Sequence, residues 1–124
     1  IMLTSGELLV DKGVTILGPG PALLAVNGNA ASRLFHITTQ LKATISGFTL
    51  TNGTVSGSYP AHVGGAIWND HGTLTLSNCV VTGNNGGFGP GGAIFNDASS
   101  SSANLSILAS TISNNQAHPA TSQG

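Results

Sequence analysis

Apolar and polar residues alternate along the chain in short runs, and the same run returns at a fixed spacing. Thr44-Ile45-Ser46-Gly47-Phe48-Thr49-Leu50-Thr51 is followed by Thr75-Leu76-Ser77-Asn78-Cys79-Val80-Val81-Thr82, and then by Ser106-Ile107-Leu108-Ala109-Ser110-Thr111-Ile112-Ser113, offset by 31 residues each time. Within each run the period is two, which is the period of a strand and not of a helix. Ile45, Phe48 and Leu50 align with Leu76, Cys79 and Val81, and these with Ile107, Ser110 and Ile112. The alternation breaks at Ser46-Gly47, so a bend between two short strands is expected there, at Gly47, Asn78 and Ala109.

A second repeat has a slightly different spacing. Gly64-Gly65-Ala66-Ile67-Trp68-Asn69-Asp70 returns as Gly91-Gly92-Ala93-Ile94-Phe95-Asn96-Asp97, 27 residues on, with six of seven positions identical. The Ser/Ala loop Ala98-Ser99-Ser100-Ser101-Ser102-Ala103 stands where the earlier unit has His71-Gly72, and this insertion accounts for the two periods. Loops vary while strands keep register. The first half fits more loosely, with strands expected at Glu7-Leu8-Leu9-Val10, Val14-Thr15-Ile16-Leu17, Leu23-Leu24-Ala25-Val26 and Leu34-Phe35-His36-Ile37, separated by Gly, Pro and Asn turn clusters.

A unit of this kind has too little apolar surface to fold alone, whereas stacked units pair every strand and share a continuous core. The expected fold is therefore all-β, a right-handed parallel β-helix (β-solenoid) of about four or five coils at roughly 25 to 30 residues each. Ile45, Leu76 and Ile107 should form one buried stack. Residues 1–124 read as one domain, a fragment or repeat unit of a longer or polymeric assembly, because the chain opens at Ile1 on an alternating segment with no secretion signal.

Composition narrows the function. Only 6% of residues are Asp, Glu, Lys or Arg, and Gly reaches 18 residues, against roughly 25% charged residues in ordinary soluble domains. The exposed positions carry Ser, Thr, Asn and Gly, which favour strands and turns over helices. Three basic residues leave no patch for nucleic acid. No apolar run approaches the roughly 20 residues of a transmembrane helix. The lone cysteine, Cys79, lies among apolar neighbours and reads as a buried thiol.

The motifs Gly-Gly-Ala-Ile followed by Asn (64 to 69 and 91 to 96), the stretch Thr73-Leu74-Thr75-Leu76-Ser77-Asn78, and Gly83-Asn84-Asn85 resemble the repeats of bacterial polymorphic outer-membrane proteins and related large secreted, adhesin-like proteins. The segment from Gly6-Glu7-Leu8 to Gly18-Pro19-Gly20 is similar to the opening of such domains. The resemblance implies a right-handed helix, a bacterial cell-surface or extracellular setting, and a role in adhesion or display. It supplies no catalytic residues.

Chemistry has few candidates. Asp70 and Asp97 occupy equivalent positions one coil apart and form a weak acidic pair, about 5 Å apart if their strands are neighbours. The expected role of Asn69-Asp70 and Asn96-Asp97 is turn formation, with side chains bonded to local backbone amides; a cation site and polysaccharide lyase or hydrolase chemistry are the alternatives. Arg33 and Lys42 lie outside both repeats, and His36, His62, His71 and His118 show no metal-ligand spacing, so no catalytic residue, cofactor or metal is expected. Two hydroxyl ladders, Thr44, Thr75 and Ser106, and Thr51, Thr82 and Ser113, suit exposed strands; they would also suit a glycan- or ice-binding face, although Val80 interrupts the row from Thr49 to Thr111. Tyr59, Trp68 and Phe95 are the aromatics that a binder would expose, and spacing leaves open which side Trp68 and Phe95 face. The reading that needs no special site is a non-catalytic surface scaffold, structural or adhesive. Its partners would be copies packed end to end into a filament, continuation coils of a parent chain, or a surface glycan.

Overall fold

The computed structural model describes residues 1–118. The path runs through β1 (Leu8–Val10), β2 (Val14–Leu17) and β3 (Ala25–Asn27), then β4 (Phe35–Ile37), β5 (Lys42–Ser46) and β6 (Thr49–Thr51). It continues through β7 (Ile67–Asp70), β8 (Thr73–Ser77) and β9 (Val80–Thr82), and ends with β10 (Ile94–Asp97), β11 (Asn104–Leu108) and β12 (Thr111–Ser113). There is no helix among the described residues. Every strand pairs in parallel with the strand three places along, which gives three four-stranded sheets: β1-β4-β7-β10, β2-β5-β8-β11 and β3-β6-β9-β12. They are called sheets 1, 2 and 3 below.

The fold is a β-solenoid, and its registers are those of the repeats. Ile45 pairs with Leu76 and Leu76 with Ile107. Leu50 pairs with Val81 and Val81 with Ile112. Ile67, Trp68, Asn69 and Asp70 pair with Ile94, Phe95, Asn96 and Asp97. From the first rung to the last the chain makes about three turns, fewer than the four or five coils expected. The shortfall lies in the links from sheet 3 to sheet 1, which run from 52 to 66 and from 83 to 93 and absorb residues without adding rungs.

The corners explain how short strands change direction. Gly47, Asn78 and Ala109, between sheets 2 and 3, have φ of 79°, 48° and 47°, and Asn52, Gly83 and Asn114, just past sheet 3, have 53°, 68° and 55°. Both columns are left-handed bends, a conformation that Gly and Asn adopt at little cost and Ala does not. At Gly47 space matters as well, because a Cβ there would lie 2.3 Å from the carbonyl oxygen of Gly18 on the rung below.

Inward rows form one core through the middle rungs: Phe35, Ile37, Ala43, Ile45, Leu50, Ile67, Leu74, Leu76 and Val81 are all buried. Phe48 and Cys79 line the corner, with the Cys79 thiol donating to the Ser77 carbonyl at 3.2 Å. The expected stack of three is buried only in part. Ile45 and Leu76 are fully covered, while Ile107 is 41% exposed because β11 is the outermost strand of its sheet among the described residues.

Corner asparagines close the remaining backbone valences. Asn84, 1% exposed, donates to the carbonyls of Leu50 and Thr82 and to Asn115 Oδ1, while its own Oδ1 accepts from Gly53 N at 2.8 Å. Asn69 makes the equivalent ladder at the sheet 1 corner, donating to Asn96 Oδ1 at 2.6 Å and to the carbonyls of Gly72 and Asn104.

The two members of one column should respond differently to truncation. Leu76→Ala is expected to cost about 3 kcal/mol, the usual penalty for a sealed leucine, and Ile107→Ala less than about 1 kcal/mol. Urea denaturation followed by circular dichroism measures both; equal penalties would contradict the burial gradient between middle and outer rungs.

Candidate functional site

Strand alternation sends Ile67 and Asn69 inward and therefore puts Trp68 and Asp70 on the outer face of sheet 1. Trp68 stands in the row of His36 and Phe95, whose registers are direct. Its side is thus the outer one, yet it is only 7% exposed. The His36 ring stacks on it at 4.1 Å between centroids, and the Arg33 guanidinium lies 5.1 Å from its centroid. Arg33 is itself buried, held by the carbonyl oxygen of Val63 from the long link that crosses this face. Trp68 Nε1 is buried without a hydrogen-bond partner.

A continuous line of polar groups follows from this face. Arg33 Nε donates to Glu7 Oε2 at 2.6 Å, and Glu7 Oε1 lies 3.4 Å from His36 Nδ1. His36 Nε2 is 3.4 Å from Asp70 Oδ2, and Asp70 Oδ1 is 2.5 Å from His71 Nδ1. His71 Nε2 lies 3.8 Å from Asp97 Oδ1, and the Tyr59 hydroxyl donates to Asp97 Oδ2 at 3.1 Å. Three of the four acidic residues of the chain, Glu7, Asp70 and Asp97, therefore share one sheet face. The near-neutral composition conceals this local concentration.

Electrostatics favour the ionised form of two of these carboxylates, Glu7 and Asp97. Burial pushes the Glu7 carboxyl up, but hydrogen bonds and charge from His36 and Arg33 outweigh it and leave its pKa below the ordinary value. Asp97 is lowered in the same way: burial opposes ionisation, and bonds from Ser99 and Tyr59, with the charge of His71, overcome it. The Tyr59 hydroxyl is raised, first by its bond to Asp97.

The expected turn role holds for one aspartate of the pair. Asp97 Oδ1 accepts the backbone N–H of Ser99 at 3.0 Å. Asp70 instead faces two imidazoles, that of His36 from the coil below and that of His71, its neighbour in the chain. His36 and His71 are accordingly members of this line and not loose surface residues, and Arg33, outside both repeats in sequence, is folded onto their face. Sequence spacing pairs Asp70 with Asp97 and sets His71 beside Asp70, but gives no sign of Glu7, Arg33, His36 and Tyr59, which other coils and links bring to the same face.

Ser100 Oγ lies 3.0 Å from His71 Nε2, so Ser100, His71 and Asp70 stand in the order of a hydrolase triad. The Ser100 backbone N–H points at the same nitrogen at 3.2 Å. The lone pair that would have to activate the hydroxyl is therefore shared, and the amide best placed to steady an oxyanion is turned toward the base.

The hydroxyl ladders are aligned as expected. Thr44, Thr75 and Ser106 pair in sequence along the outside of sheet 2, and Thr51, Thr82 and Ser113 along sheet 3. The first row extends to Thr15 and the second to Asn27. Val80 does interrupt the row from Thr49 to Thr111.

Three parallel sheets wound around one core define the chain as a parallel β-solenoid. No family model, no curated protein and no solved structure matches it.

A depressed carboxyl pKa contributes stability that is present above the unfolded-state pKa and lost as pH falls through the folded one. Glu7→Gln is therefore expected to make the acid limb of stability, below about pH 5, shallower than in the parent chain. Urea midpoints measured across that range test this; superimposable limbs would remove Glu7 as a contributor.

Proposed function

We propose that the chain is a non-catalytic scaffold of a bacterial cell surface or the extracellular space, structural or adhesive, whose coils continue by stacking end to end. The observation that carries this reading is the state of the outer rungs. Leu8 and Val14 on the first rung, and Ile107 and Ile112 on the last, stand in the same rows as fully buried residues of the middle rungs but are 38% to 43% exposed. Among the described residues β1 and β2 on the first rung and β10, β11 and β12 on the last have no further strand beside them, while residues 1–3 pair with β3, and an open edge of this kind templates further pairing unless it is covered. A first face and a last face that differ make a heterologous contact, which extends instead of closing. The scarcity of charge offers little repulsion against it. The motif resemblance to bacterial surface repeats supports the setting.

A catalytic reading would be favoured by carboxylates opening into a cleft. A cleft of about 450 Å³ lined by Thr54, Val55, His62, Asn85, Phe88 and His118 contains none among the described residues, and two smaller ones hold a single carboxylate each, Glu7 beside Arg33 and Asp11 beside Lys12, so none of the three offers a pair. Phe88, 66% exposed at the first of these beside His118, is the kind of platform on which a sugar ring stacks, and it supports a glycan contact as the second reading.

In sedimentation velocity at rising micromolar concentration the chain is expected to grow into elongated species, visible as filaments by electron microscopy. Ile112→Lys, which places a charge on the half-exposed row of the last rung next to Val81, should suppress that growth while leaving the circular dichroism spectrum parent-like. A parent chain that stays monomeric throughout would overturn end-to-end stacking. For the second reading, binding on a glycan array should fall at least about tenfold in Phe88→Ala, and an unchanged profile would reject Phe88 as the contact.

A further inference from the structure

The links from sheet 3 to sheet 1 enclose the cleft of about 450 Å³ that Phe88 shares with Thr54, Val55, His62, Asn85 and His118. Backbone bonds fix its walls. The Val55 N–H donates to the Asn85 carbonyl at 3.1 Å and the His118 N–H to the Gly87 carbonyl at 2.7 Å, while Thr54 pairs in parallel with Asn85 one coil on. The two links touch where Gly89 meets His62, so closely that a Cβ on Gly89 would overlap the His62 carbonyl oxygen. Within these walls three side chains keep unused binding capacity. The His118 ring braces Phe88 on one side, 5.6 Å away between centroids and tilted by 44°, and the rest of the Phe88 ring stays open. Asn85 Oδ1 accepts the Gly87 N–H at 2.8 Å, which orients the amide and leaves Nδ2 as a donor with no partner among the described residues. The hydroxyl of Thr54, half-buried in the same column, likewise makes no bond to the described residues. No Asp, Glu, Lys or Arg lines the cleft among the described residues.

We propose that this cleft binds an uncharged pyranose unit of a glycan, which rests on the reading of Phe88 as a glycan contact and adds the class of sugar and the groups that hold it. A pyranose has an apolar face of C–H groups and a rim of hydroxyls that need directed partners. Phe88 supplies the platform for the face. Asn85 Nδ2 and the Thr54 hydroxyl, on neighbouring rungs roughly 5 Å apart, meet hydroxyls on one edge of the ring. The amide nitrogen only donates, whereas the hydroxyl donates or accepts, so the pair selects an orientation. The volume of the cleft falls within the about 300 to 1,000 Å³ of small-molecule sites, and walls already pinned by backbone bonds need little ordering on binding. The absence of charge decides among sugars. A uronic acid would give up water around its carboxylate with no cation to meet it, and the ammonium of an amino sugar would find no carboxylate. An apolar peptide side chain could use Phe88, but it would cover the Asn85 and Thr54 groups and leave them unpaired. Because Thr54 and Asn85 belong to successive coils, the site exists only when those coils are stacked in register.

Cellotetraose, mannotetraose and galactotetraose serve as uncharged probes, with tetragalacturonate as the acidic control and N-acetylphenylalaninamide as the peptide-like one. In NMR titrations of the full chain, at least one uncharged tetrasaccharide should saturably shift both the Phe88 ring and the Asn85 side-chain amide resonances, and neither control should do so. Asn85→Asp keeps the oxygen that accepts from Gly87 and removes the donor, so affinity should fall at least about tenfold; Thr54→Val keeps the shape without the hydroxyl and should cost at least about threefold. Both variants should have parent-like circular dichroism spectra. If they fail to fold, the Asn85 amide in the parent chain decides, and saturable binding that leaves its resonances unmoved would overturn the proposal. Phe88→Ala separates the proposal from the reading beneath it. Binding that survives Phe88→Ala would remove the glycan contact itself. Binding lost there but unchanged in folded Asn85→Asp and Thr54→Val, or equally tight binding of tetragalacturonate, would leave that contact standing and overturn the sugar class and donors assigned to it. Failure of all the uncharged probes to bind, or N-acetylphenylalaninamide shifting the same resonances in their place, would overturn both.

Discussion

The molecule depends on one constraint: each residue of a strand lies directly beside its counterpart one coil away. Parallel pairing in register turns a property of one position into a property of a column. An apolar residue repeated at that position becomes a core row, such as Ile45 over Leu76. A residue tolerant of positive φ becomes a corner, as at Gly47, Asn78 and Ala109. An asparagine becomes a ladder, as at Asn84 and Asn115, where Asn84 donates to Asn115 Oδ1 and Asn115 donates to the Val81 carbonyl that the corner leaves open.

The same constraint is hard on charge. Identical ionised side chains on adjacent rungs sit roughly 5 Å apart, close enough to repel along the whole column, which gives a physical reason for the low charged fraction. Asp70 and Asp97 are the exception, and their surroundings show what that exception demands. His36, His71 and Tyr59 are interleaved with them, and Arg33 neutralises the glutamate at the far end of the line. A column of acids is thereby converted into an alternation of donors and acceptors.

Columns are what the sequence made legible, because they are recurrences. The offsets of 27 and 31 residues give the registers of sheets 1, 2 and 3, and the break in alternation at Gly47 gives a corner. The number of turns was not legible, since the links from 52 to 66 and from 83 to 93 lengthen the chain without lengthening the stack. Exposure of Ile107 was missed for a related reason: recurrence reports that a residue points inward, not that another coil covers it. The polar line was the least legible part. Glu7 and Arg33 belong to the irregular first half, His36 matches no residue type in its own column, and Tyr59 arrives on a link. A row of Leu9, His36, Trp68 and Phe95 carries no common chemistry for a repeat search to find.

The burial gradient from middle rungs to outer rungs has a consequence for how the fold forms and opens. Partners in the ladders are separated by 27 and 31 residues, so adding a coil closes a loop of nearly constant length, and the entropic cost of each step is nearly the same. What changes from step to step is the apolar surface sealed, which is greatest where a rung is sandwiched on both sides. A chain of this kind zips outward from its second and third rungs and frays back toward them, so that amide protons of β5 and β8 exchange last while those of β2 and β11 exchange through small local openings. Cooperativity is then a property of rung number, and every coil added to the stack moves the frayed boundary outward by one place.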